Sequence, residues 1–155
     1  MNELCSEVLR VLRGKTLVTA ESCTGGGIGA ALTAIPGSSE VYKGGVISYC
    51  DEVKEHVLGV SKEVLTGYGA VSAPVAGFMA SGVKKLLQAD VAVSVTGLAG
   101  PGGDEFGNEV GTVYIGYESQ SKSLVKCFRL SGDREAIRAQ AVSAALKLLL
   151  ECNSE

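Results

Sequence analysis

Apolar residues first recur at helical spacing at Leu4, Val8, Val11 and Leu12, and Gly14 closes the run, which predicts an opening helix. Thr16 to Ala20 is short, apolar and β-prone, the pattern of a buried strand. From Thr24 onward Ile28, Ala31, Leu32 and Ile35 share one helical face, and Pro36-Gly37 ends it. Val41 to Tyr49 reads as a second strand, with Asp51 as cap of a short helix carrying Val53, Val57 and Leu58. Ser72, with Pro74 in the first turn, opens a long helix through Phe78, Met79, Val83 and Leu86. Asp90 to Thr96 is an apolar β run ending in Gly97. Val110 to Tyr117 and Ser123 to Leu130 alternate as strands, joined through Glu118 to Lys122 as an antiparallel hairpin. Asp133 caps the last helix, whose apolar face holds Ile137, Val142, Ala145, Leu146 and Leu149.

Strand–helix alternation followed by a terminal hairpin and helix predicts an α/β fold, a three-layer α/β/α sandwich with a mixed sheet. No repeat or linker divides the 155 residues, so residues 1–155 are expected to form a single domain. A hydrophobic fraction of 46% is enough for a packed core.

Charge narrows the partners. The net charge is −3 with acids and bases interspersed, and aromatics make up 5%, so neither a basic stripe nor a stacking platform exists for nucleic acid. The opening residues carry two acids and no apolar core, unlike a signal peptide, and runs such as Val91 to Val95 are too short to span a bilayer. A cytoplasmic chain with no membrane partner is expected. The five cysteines, at 5, 23, 50, 127 and 152, form no Cys-x-x-Cys pair, which points to small, half-buried reduced thiols and no metal site. Glycine stands out at 21 residues, clustered where elements meet, and implies binding loops built from backbone.

Three such loops follow predicted strands, where ligand sites form in open α/β sheets. In Glu21-Ser22-Cys23-Thr24-Gly25-Gly26-Gly27 a strand runs into a helix with a serine at the bend. Free N–H groups at the helix start would stabilise an oxyanion or hold a phosphate, with Ser22 as nucleophile. Ser22 or Thr24 as a plain helix cap is the competing reading. Cys23 is a rival nucleophile, but the one histidine, His56, falls on an exposed helix and gives it no base. Gly25-x-Gly27-x-x-Ala30, with Asp51 after the next strand, also matches a dinucleotide fingerprint, though a doubly wound second half is missing.

In the second loop, Tyr49-Cys50-Asp51-Glu52-Val53-Lys54, Lys54 is a candidate base for a serine, since a buried lysine can lose its proton; a solvated surface lysine is the alternative. The third, Thr96 to Gly103 and on to Gly111, suits a mobile lid. Its acids Asp104, Glu105 and Glu109 lack ligand spacing and read as solvated loop residues. Arg134 and Arg138, four apart after Gly132-Asp133, would reach a phosphate together or form an exposed basic face.

Taken together these segments resemble the CinA C-terminal domain family, whose active members are nicotinamide-nucleotide amidases of the PncC type. The resemblance rests on Glu21-Ser22-Cys23-Thr24-Gly25-Gly26, Pro36-Gly37-Ser38-Ser39, Tyr49-x-x-x-x-Lys54 with Leu58-Gly59-Val60, Gly69-Ala70-Val71-Ser72, Thr96-Gly97-x-Ala99-Gly100-Pro101, and Gly132-Asp133-Arg134-x-x-Ile137-Arg138. It implies hydrolysis of the carboxamide of nicotinamide mononucleotide to nicotinate mononucleotide and ammonia, by a homodimer needing no cofactor or metal. Ser22 would attack the amide carbon, Lys54 handle the proton and Tyr49 assist. Ser39 and Thr96 would place the substrate. Arg134 or Arg138 and the glycine-rich turn would hold the phosphate, so that Thr24, Gly25, Gly26, Gly97 and Gly100 also count as substrate-binding positions. A nucleotide- or partner-binding module without catalysis is the alternative.

Two positions depart from the family pattern. Cys50-Asp51 stands where the motif usually reads Ser-Asn, and a carboxylate there would favour the charged form of Lys54. The lid also lacks the usual Lys-Pro before Val110-Gly111-Thr112. The amino-terminal nucleotide-processing domain of longer relatives has no counterpart in these residues, so a stand-alone form is expected.

Overall fold

A computed structural model describes residues 1–154. Its elements are α1 (Asn2–Val11), β1 (Leu17–Glu21), α2 (Gly27–Thr33), a 3-10 turn (Ser38–Glu40), β2 (Tyr42–Ile47), α3 (Asp51–His56), α4 (Lys62–Tyr68), α5 (Ala73–Leu87), β3 (Val91–Gly97), β4 (Thr112–Ser119), β5 (Ser123–Arg129) and α6 (Arg134–Asn153). The sheet order is β2-β1-β3-β4-β5. β1 pairs in parallel with both β2 and β3, and β4 and β5 add on antiparallel, so the sheet is mixed, as the hairpin pattern predicts.

Period-two alternation sorts the strand residues between two cores. Leu17, Val91, Val93, Val95, Val113 and Ile115 pack on one face against α1, α2 and α6. Val18, Ala20 and Ala92 face the other way, toward α5 and the Leu58–Leu65 stretch. The α5 side carries small and polar strand residues, which let the helix lie close. Ser94 Oγ donates to Ala76 O at 2.6 Å, and a Cβ at Gly116 would come 2.6 Å from that same carbonyl. Any larger side chain at Gly116 would push α5 off the sheet.

Several element ends differ from expectation for local reasons. The second helix begins at Gly27, because Gly25 (φ 59°) and Gly26 (φ 99°) are left-handed and cannot extend it back to Thr24. Asp51 does not cap α3; it is the first helical residue, Cys50 holds the cap position, and no side chain caps. Helix α4 escapes the pattern because, apart from Leu65, it buries little, and its start signal is the Ser61 hydroxyl accepting from Val64 N. Ser72 and Asp133 cap α5 and α6 as predicted. The cysteines range more widely than expected: all are unpaired, Cys5 and Cys23 are buried, and Cys50 and Cys127 are exposed. Among the described residues, no helix is long and apolar enough to cross a membrane.

Candidate active site

The parallel strands β1, β2 and β3 end on one side of the sheet, and their carboxyl ends bring the first two loops together. Ser22 N donates to Val95 O at 3.0 Å, which keeps Ser22 in line with β3. Ser48 N donates to Glu21 O at 2.8 Å, so Ser48 sits beside it at the end of β2. α3 then folds back, and Lys54, one helical turn in, points down onto both. Its Nζ donates to Ser22 Oγ at 3.1 Å and to Ser48 O at 2.5 Å.

Lys54 is not the solvated lysine of the alternative reading. It is 1% exposed, and no carboxylate pairs with it among the described residues. Burial lowers its pKa below the ordinary lysine value, opposed chiefly by the charge of Asp51. A lysine held without a counter-ion against a serine hydroxyl is an arrangement able to take the serine proton. Cys23 is unsuited to the same task. Burial pushes its thiol up to about 11, so it stays protonated near neutral pH. His56 ends α3, exposed and outside the cleft.

The glycine turn is braced from two sides, and neither brace is obvious in the sequence. Glu21 is 2% exposed, an acid buried at the tip of a strand that carries no other charge. Its Oε1 accepts from Thr24 Oγ1 at 2.7 Å and Ile28 N at 2.8 Å; its Oε2 accepts from Gly29 N at 3.0 Å and Thr19 Oγ1 at 3.2 Å. The carboxylate therefore occupies first-turn amides of α2 that were expected to be free for an oxyanion or phosphate. It closes that position to a pyrophosphate as well, which removes the physical basis of the dinucleotide reading. The amides of Cys23 and Thr24 have no carbonyl partner among the described residues and remain available.

Arg138 is the second brace. Its Nε donates to Cys23 O at 3.0 Å and its Nη2 to Thr24 O at 3.3 Å. It holds the outer, carbonyl side of the turn and does not line the cleft. Arg134 does line it, with Nη1 donating to Gly100 O at 2.6 Å and Nη2 to Tyr49 Oη at 2.8 Å. The two arginines, expected to act together, thus face different tasks. Tyr49 is 61% exposed at the rim, with its hydroxyl toward Arg134.

The inner cleft has a volume of about 260 Å³ and is lined by Ser22, Lys54, Thr96, Gly97, Gly100 and Arg134, among others. Thr96 is buried, and its hydroxyl donates to Ala70 O at 2.8 Å. Thr24 lies beneath the turn on Glu21, while Gly25 and Gly26 give the turn its left-handed bend. Ser39 is not brought to this cleft. It is exposed just before β2, at the amino ends of the parallel strands, about a strand's length from Ser22.

An annex of about 680 Å³ continues the cleft between α4 and the lid, and shares Asp51, Ala70, Val71 and Leu98 with it. The lid is anchored. Asp104 Oδ1 accepts from Phe106 N at 3.1 Å and Asn108 N at 3.0 Å, and Asn108 Nδ2 donates to Val71 O at 3.0 Å. The Phe106 ring covers Gly69, where a Cβ would come within 2.6 Å of it.

Known proteins share this fold and much of this sequence. The model of the CinA C-terminal domain matches residues 1–153. A "Putative competence-damage inducible protein" of Caldanaerobacter subterraneus subsp. tengcongensis is 43% identical over 149 residues, 96% of this chain and 36% of that protein. A "CinA-like protein" of Thermosynechococcus vestitus is 48% identical over 151 residues, 94% of this chain and 36% of its own length. The chain therefore spans about a third of these curated relatives. Among solved structures, competence damage-inducible protein A from Klebsiella pneumoniae subsp. pneumoniae superposes with a TM-score of 0.94 at 41% identity, covering 97% of this chain and 94% of that one. Competence/damage inducible protein CihA from Agrobacterium tumefaciens gives 0.95 at 39% identity, covering 99% and 95%.

Proposed function

Since the chain belongs to the CinA C-terminal domain family, we propose that it is an amidohydrolase that deamidates nicotinamide mononucleotide, with Ser22 as nucleophile and Lys54 as base. The observation that carries this reading is the buried Lys54 Nζ at 3.1 Å from Ser22 Oγ. Neutral Lys54 takes the Ser22 proton as Oγ bonds to the carboxamide carbon. The amides of Cys23 and Thr24, which follow Ser22 directly and have no carbonyl partner among the described residues, are the donors offered to the oxyanion that forms. Lys54 returns its proton to the leaving nitrogen, the C–N bond breaks, and ammonia departs. Water then attacks the acyl ester, giving Lys54 a proton that goes back to Ser22 Oγ as the ester bond breaks.

At about 260 Å³ the inner cleft is smaller than the ~300–1,000 Å³ of ordinary ligand sites, so a mononucleotide fills it and enters the annex. Arg134, with donors left over on a cleft wall, is the residue for the phosphate; Tyr49 orients that guanidinium and closes the rim. A homodimer belongs to the same proposal. Ser39 would contribute only to the cleft of a second copy, given its place at the far end of the sheet.

One observation favours the non-catalytic reading. Lys54 donates to Ser48 O while Asp51 stabilises its ammonium form, and a lysine kept charged would bind without reacting. The discriminating experiment is incubation with nicotinamide mononucleotide, following ammonia and nicotinate mononucleotide in equal amounts. Saturable binding without either product would favour the binding module.

A further inference from the structure

The cleft carries two charges of opposite sign that no ion pair neutralises among the described residues. Arg134 gives two of its five N–H donors to neutral acceptors, Gly100 O and Tyr49 Oη, and has no carboxylate partner among the described residues. Asp51, the first residue of α3, makes no cap bond and no ion pair among the described residues. It lines both the inner cleft and the annex, whereas Arg134 lines the inner cleft alone. Another acid of the annex wall, Asp104, is committed to Asn108 and the Phe106 amide. Asp51 is thus an acid without a hydrogen-bond or ion-pair partner among the described residues where the two compartments meet, one helical turn from Lys54, whose ammonium form its charge favours.

We propose that Asp51 is a specificity-determining residue, selecting carboxamides whose ring is a cationic N-substituted pyridinium over their neutral, reduced dihydropyridine counterparts. The proposal rests on the amidase reading above. An N-ribosylated nicotinamide ring carries a full positive charge, delocalised over the ring that bears the reacting carboxamide. With that carboxamide at Ser22, the ring occupies the space that Asp51 borders, and a phosphate of opposite sign is left for Arg134. The cleft then matches a zwitterion, cation toward Asp51 and anion toward Arg134. Reduction of the ring removes the cation and leaves shape and phosphate nearly unchanged, so the two forms isolate the ring charge, and substitution of Asp51 assigns its share. Because Asp51 is exposed, its attraction for a cation several ångströms away is screened, and a roughly three- to tenfold effect on affinity is the expected scale, on the order of that for pairs at a protein surface. An asparagine here, as in the usual family motif, would carry no such charge.

The test is calorimetric titration of the Ser22→Ala protein with oxidised and with reduced nicotinamide mononucleotide, repeated in Ser22→Ala/Asp51→Asn and Ser22→Ala/Asp51→Glu. The preference for the oxidised form should shrink roughly three- to tenfold with Asn, through weaker binding of that form alone, and should persist with Glu. Added salt should narrow the preference in the protein that keeps Asp51 and leave the Asp51→Asn variant unmoved. An unchanged preference, or equal weakening of both forms, would overturn the role of Asp51 while leaving the amidase reading intact. If neither form binds and the unsubstituted protein releases no ammonia, the amidase reading fails, and this proposal with it.

Discussion

Lys54 Nζ lies 3.1 Å from Ser22 Oγ in a site where Lys54 is almost wholly buried and its remaining hydrogen bond goes to a backbone carbonyl, Ser48 O. The proposed mechanism requires a neutral lysine, so turnover should rise with pH through the Lys54 ionisation. Burial sets that rise below the ordinary ~10.4 of lysine, and Asp51 pulls it back up. In Asp51→Asn the rising limb should move to lower pH and the rate near neutrality increase. A pH–rate profile of the two proteins checks this. Coincident limbs would mean that Asp51 does not govern the base.

Stability should follow the same ionisation. A lysine whose pKa is lowered by folding binds fewer protons in the folded than in the unfolded chain between its folded value and ~10.4. The fold therefore gains stability as pH rises through that window and loses it as pH falls. Lys54→Met removes the buried cation, so thermal melts should show an unchanged or higher Tm near neutral pH, together with no activity. Burying an ion costs several kcal/mol of lost hydration, which an apolar chain of similar length does not incur. A fall of several degrees would show that the lysine's hydrogen bonds outweigh its desolvation.

Arg134 and Arg138 should separate kinetically. Arg134→Ala, on the cleft wall, should raise KM for the mononucleotide, with a loss of about 1.5–3 kcal/mol expected for a charge-assisted contact. Its preference for the mononucleotide over the unphosphorylated riboside should narrow. Arg138→Ala, which frees Cys23 O and Thr24 O, should lower kcat and leave that preference intact. Steady-state kinetics on both substrates would detect a reversal of the two patterns.

Glu21→Gln should destabilise the protein and slow it. One amide oxygen cannot replace two carboxylate oxygens that together accept from Thr19, Thr24, Ile28 and Gly29. Leaving a buried donor without a partner costs about 1–3 kcal/mol. Urea unfolding should show the loss at unchanged m-value. A variant as stable as the parent would mean that the turn repacks around the amide.

Much of this was legible in the sequence, and what was not has physical reasons. Apolar periodicity located α1, α5 and α6, because each buries a regular face, while continuous apolar runs marked the wholly buried β1 and β3 and alternation marked β4 and β5. It passed over α4, which buries little, and set the start of α2 too early, because side-chain spacing does not record the left-handed backbone at Gly25 and Gly26. At the site, Ser22 and Lys54 could be named from their loops, and the structure brings them into contact. The work of Glu21 could not be read in advance. Its only signal is a charged residue at the tip of a strand that carries no other charge, and its four donors come from positions 19 to 29, fixed by the turn itself. Likewise, spacing placed Arg134 and Arg138 on one helix face, but only the fold set one against the cleft and the other against the carbonyls behind it.

The most direct measurement is ammonia release from nicotinamide mononucleotide by the unsubstituted protein, Ser22→Ala and Cys23→Ala, with mononucleotide binding measured in parallel. The unsubstituted protein should release ammonia and nicotinate mononucleotide in equal amounts. Cys23→Ala, lacking a thiol whose pKa burial raises to about 11, should keep most of that rate. Ser22→Ala should release none while still binding the mononucleotide. Full activity in Ser22→Ala, or loss of activity in Cys23→Ala with its fold intact, would contradict the assignment of Ser22 as nucleophile.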